Sequence, residues 1–72
     1  MVDHKVHSAP ADSLATINGH EPWHVYNEST NTASVFCDTC GWRGRSFRGR
    51  WRDKADGQWR VHAGDIAMKA AQ

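Results

Sequence analysis

No stretch of this 72-residue chain approaches the roughly 20 consecutive apolar residues that a membrane-spanning helix needs. The N-terminus also lacks the charged-then-apolar pattern of a secretory leader. Both absences point to a cytoplasmic protein without membrane association. Hydrophobic residues are sparse, at 39%, which suits a single small polar domain with a thin core. A chain this short buries too little surface to be well stabilised by a core alone, so it needs a metal, disulfides or a partner. Cysteine is nearly absent: Cys37 and Cys40 are the only two. In a reducing compartment a pair so spaced serves as metal ligands or a redox couple more often than as a structural disulfide. The sequence has no nucleophile–base pair and no phosphate-cradling glycine motif. Asp38, Glu21 and Asp65 could approach a metal as acid or base, but a domain of this size rarely encloses a substrate cleft. An enzyme is not expected, nor a small-molecule substrate.

What is present centres on the run Cys37-Asp38-Thr39-Cys40-Gly41-Trp42. Two intervening residues let the backbone turn so that both sulfurs face one tetrahedral centre, and a glycine just after the second sulfur permits that tight turn. A dithiol redox centre would use the same spacing, but it normally sits at a strand-to-helix turn of a βαβ unit, which this chain is too short to build. The expected cofactor is therefore Zn²⁺.

Residues 1–19 carry Ser8, Ala9, Pro10, Ala11, Asp12 and Ser13 with no helical or strand period, and read as a flexible tail in which His4 and His7 are solvated. Residues 20–72 form the expected zinc-binding domain. Trp23, Val25 and Tyr26 mark a first strand, residues 27–32 a polar turn, 33–37 a second strand and 42–47 a third. Ala55, Trp59, His62, Ile66 and Ala70 recur at helical spacing and share one face of a C-terminal helix. Asp53 is a reasonable N-cap; Phe47 and Trp51 would extend the stripe back to a start at Ser46. Gly57 and Gly64 each cost about 1 kcal/mol relative to alanine, so the helix needs packing or a metal bond. The fold class is α+β: two or three short antiparallel strands and a C-terminal helix, closed by zinc.

Cys37, Cys40 and His62 give three ligands, and a closed structural zinc site takes four. In an antiparallel hairpin turning near residues 28–32, the start of the first strand lies beside Cys37. His24 is preferred as the fourth ligand and His20 is the alternative, with Asp65 behind them; strand register, which the sequence does not fix, decides between the histidines.

The order carried by His20 or His24, Trp23, Cys37, Cys40, Gly41, Trp42, Gly44, Trp59 and His62 resembles a group of small zinc-finger-like proteins of actinobacteria and their phages. The resemblance covers about residues 19–64 and implies a metal-stabilised fold. It departs from ordinary C₂H₂ fingers, which place about 12 residues between the second cysteine and the first histidine and add another histidine 3 to 5 later. Here 21 residues separate Cys40 from His62 and no histidine follows, so three-base reading is not implied. A phage origin would place the protein in the host cytoplasm.

Residues 42–54 hold five arginines and one lysine against one aspartate, a local charge of +5 in a chain whose total is +1. Arginines interleaved with glycines and aromatics suit nucleic acid, because guanidinium groups pair phosphates bidentately and aromatic rings stack on exposed bases. The candidate binding residues are Arg43, Arg45, Arg48, Arg50, Trp51 and Arg52. Trp23, Trp42 and Trp59 read as core, Trp51 as either core or surface. The expected function is a non-catalytic zinc-finger-like module that binds nucleic acid. The alternative is an adaptor that docks on an acidic protein surface, or a phage-encoded inhibitor of a host protein.

Overall fold

A computed structural model describes residues 6–70. Four antiparallel strands, β1 (Val6–Pro10), β2 (Pro22–Asn27), β3 (Thr32–Cys37) and β4 (Phe47–Arg48), form one sheet in the order β1-β2-β3-β4. A 3₁₀ turn (Gly49–Trp51) leads into helix α1 (Lys54–Ala70). The α+β class holds, with one strand more than expected.

The central hairpin follows from its turn chemistry. Asn27 Oδ1 accepts the backbone N–H groups of Ser29 and Thr30 at 2.9 and 3.3 Å, an Asx turn that caps β2 and starts the reversal. The resulting register pairs Pro22 with Cys37 and His24 with Val35. Partners across an antiparallel pair share a face, so Pro22, His24, Tyr26, Ala33, Val35 and Cys37 all lie on one side. That side meets α1. Val35 and Cys37 pack with Ala55 and Trp59 as the buried cluster, with Leu14, Ile17, Trp42 and Phe47 against it.

Residues 6–19, expected within a flexible tail, are built into this structure. β1 pairs with β2 from Val6↔Asn27 to Pro10↔Trp23, and Ala11 is buried. The strand is exposed throughout, and its low apolar content hid it: ladder hydrogen bonds come from the backbone and need no hydrophobic side chain. His7 is exposed, as expected, with Nε2 3.3 Å from Glu28 Oε1. His4 lies outside the described residues.

The third strand expected over residues 42–47 is reduced to Phe47–Arg48. Phe36 bridges Arg43 and Ala33 pairs with Phe47, so three steps along β3 oppose four along the other chain. That extra residue is a bulge, which breaks the alternation of side chains. The helix begins after Asp53, not at Ser46, because Gly49 takes a left-handed φ of 60° that no continuous helix accommodates. Its expected stripe is followed in large part: Ala55 and Trp59 are buried, His62 and Ile66 half-buried, Ala70 exposed.

Candidate metal centre

Three segments converge on one point. The first is a two-residue turn, Asn18-Gly19, with φ of 48° and 80°. Ile17 and His20 exchange both backbone hydrogen bonds across it, at 3.2 and 2.8 Å. Two successive positive φ values define a type I′ hairpin turn, for which Asn-Gly is the favoured pair. The turn presents His20 immediately before β2.

The second segment is the cysteine loop. Gly41 donates to Cys37 O at 2.9 Å and Cys37 donates to Trp42 O at 2.7 Å, closing a tight loop that needs Gly41 at φ 80°. The first two segments are fastened together: Asp38 N–H donates to Glu21 O at 3.1 Å, Glu21 N–H to Thr39 Oγ1 at 3.3 Å, and Thr39 Oγ1–H to Gly19 O at 2.9 Å. The third segment is α1, which delivers His62 from the face that also carries Trp59.

One donor atom from each of His20, Cys37, Cys40 and His62 lies within 4.8 Å of all the others. These four residues are close enough to hold a metal ion. His20 Nδ1 is 3.3 Å from Cys37 Sγ and Cys40 Sγ is 3.5 Å from His62 Nε2. With metal–sulfur and metal–nitrogen bonds of about 2.3 and 2.0 Å, a tetrahedral site has sulfur–nitrogen edges of roughly 3.5 Å. Both separations are near such an edge. Two sulfurs and two imidazoles in a tetrahedron are a donor set suited to zinc, and two thiolates balance its charge.

Electrostatics prepare Cys37 for that role. Burial opposes its thiolate, but the Cys40 backbone N–H, the imidazoles of His20 and His62 and the Thr39 backbone N–H outweigh this, and the thiol is lowered from 9.0 to about 6. The thiolate is the metal-binding form.

The His62 ring lies flat on Trp42, centroids 4.3 Å apart and planes 4° apart, and meets the edge of Trp59 at 5.4 Å. Trp59 is itself fixed by Nε1–H donation to Ala15 O at 2.9 Å. Trp42, read from the sequence as core, thus clamps a ligand ring as well as covering the core, and Thr39 is a positioning residue that composition did not suggest.

His24, the preferred fourth ligand, is replaced by His20. The two share parity and hence a face, so position along the strand decides: His24 sits opposite Val35, two residues further into the sheet than Cys37. Its Nε2 instead contacts Asp56 Oδ1 at 2.8 Å. The signal that favours His20 is the Asn18-Gly19 pair. Asp65 is not among the four clustered residues.

The arginines divide into groups. Arg43, Arg45, Arg48, Arg50 and Arg52 are all exposed. Arg43 and Arg48 pair with Phe36 and Thr32 on the sheet face away from the helix. Arg50 and Arg52 line an open cleft with His24, Tyr26 and Asp56 on the helix side. Arg50 and Lys54 flank the Trp51 ring at 4.9 and 4.4 Å, and Trp51 is 48% exposed.

The fold and site together define a small α+β domain with a candidate Cys₂His₂ metal centre. No protein-family model, curated protein or solved structure matches the chain. No helix among the described residues is long and apolar enough to cross a membrane.

Proposed function

We propose that this protein is a non-catalytic zinc-binding module that uses its arginine-rich segment to bind nucleic acid. Zinc is structural: four protein ligands complete a tetrahedron and leave no position for a reacting water. The observation that carries the binding reading is the state of residues 43–52. All five arginines are exposed, and among the described residues none forms a salt bridge with an acidic side chain. Guanidinium groups free of internal carboxylates remain available to phosphates.

The test is a salt titration of binding to a labelled oligonucleotide. Affinity falls steeply with salt, and replacing Arg48 and Arg50 together by alanine lowers the slope of log K against log salt by about 1.4–1.8, near 0.7–0.9 per lost phosphate contact. No binding at low salt would overturn the reading. In that event the helix offers a second surface: Val61 and Met68 are 63% and 67% exposed and, two turns apart, share a face suited to a protein partner.

A further inference from the structure

Cross-strand partners line up in rows. On the sheet face turned away from α1, one row runs Pro10, Trp23, Phe36, Arg43 and another runs Val6, Asn27, Thr32, Arg48. Between them stand Ser8, Val25 and Ser34. The bulge is what brings both arginines to this face, each at the end of its row on the β4 side. The rows are four residues apart along β3, about 13 Å at strand rise.

The buried cluster lies on the opposite side of the sheet. Helix α1, Leu14, Ile17 and Trp42 all pack against the Val35–Cys37 side. Trp23 and Phe36, with centroids 6.0 Å apart and planes tilted by 34°, are half-buried and lie outside the buried cluster. Trp23 is therefore not part of the core, contrary to expectation. Its Nε1–H is enclosed and has no hydrogen-bond partner among the described residues, whereas Trp59, the core tryptophan, has one. Folding alone does not account for a large indole kept there with an unsatisfied donor.

We propose that this face is a stacking platform for an unpaired strand of nucleic acid, with Trp23 and Phe36 receiving bases and Arg43 and Arg48 the phosphates. This rests on the nucleic-acid reading above and adds the class of ligand. Base stacking on aromatic rings requires π-faces that a duplex keeps buried within its own stack. A sheet face with two adjacent aromatic residues and cations along one edge matches a single strand: aromatic surface under the bases, positive charge under the backbone.

The experiment compares the zinc-loaded full chain with a labelled oligothymidine of 12 nucleotides and with a duplex of equal length. Two variants are used. Phe36→Leu keeps apolar volume but removes the ring, and Ser34→Glu places a carboxylate between the arginine rows without touching the core. Folding of each is checked by far-UV circular dichroism and by metal stoichiometry. Loss of a stacked ring to alanine weakens binding by roughly 5- to 150-fold per base. With leucine retaining contact, the expected result is about a tenfold loss for the single strand and an unchanged duplex affinity; Ser34→Glu weakens single-strand binding likewise. Equal binding of both nucleic acids with neither variant altering the single-strand affinity would overturn the platform while leaving the arginine reading intact. Absence of binding to either nucleic acid would overturn both.

Discussion

Cys37 joins the metal site to the core, being fully buried against Val35 and Trp59 while its sulfur faces His20. The residue-scale question is which histidine completes the set. His24→Ala should leave one bound ion per chain and lower stability by less than about 1 kcal/mol, since its Asp56 contact is a partly exposed pair. His20→Ala should abolish tight metal binding. Native mass spectrometry of the two variants decides, and metal loss in His24→Ala would overturn the assignment. Cys37, Cys40 and His62 were legible because ligand chemistry limits the residue types to few. The fourth ligand was legible only through Asn18-Gly19, a turn signal sitting where low apolar content suggests a tail.

The elements show unequal dependence on local sequence. Helix α1 follows from its own periodicity, yet it contains Gly57 and Gly64, around which an added Cβ would meet nothing within 4 Å. Replacing both by alanine should stabilise by about 2 kcal/mol, a rise of roughly 8–16 °C in Tm for a domain of this size, read from thermal melts of the metal-loaded protein. No rise would mean that the helix is not a limiting element of the cooperative unit. Strand β1 had no such signature, because an exposed strand is specified by the backbone groups of its neighbour. The bulge before β4 was equally hidden: alternation read along 43–52 groups Arg43 with Arg45, whereas the extra residue sets Arg43 with Arg48.

Among the described residues the buried apolar set is Ala11, Pro22, Val35, Cys37, Ala55 and Trp59. Cores of domains this small supply about 3–5 kcal/mol, while structural zinc in small fingers contributes about 10–16 kcal/mol at neutral pH. An ion held by His20, Cys37, Cys40 and His62 would therefore decide whether the chain folds. Chelation should unfold it, and a cooperative melt unchanged by verified metal removal would refute this. Acid should act in the same direction. Cys37 is lowered from 9.0 to about 6 in the folded chain, so between these values the unfolded chain binds more protons than the folded one. Stability should rise with pH across that window and be lost as pH falls through about 6, and protons should displace the metal from its thiolates on the same acid side. Thermal melts from pH 5 to 9 check the sign.

Primary structure alone carried the chemistry: two cysteines at a two-residue spacing, an imidazole on a helix face, an α+β order of elements and a block of unbalanced arginine. These are properties of residue type and short-range period, which survive without knowledge of partners. The candidate fourth ligand, the added edge strand, the split of the arginines and the sheet face on which Trp23 lies emerged only from the pairing of the strands. Position along the paired strands selects His20 over His24 and backbone pairing adds β1, whereas register sets the face of Trp23 and of the arginines, because one residue of slip or bulge moves a side chain to the other face of the sheet.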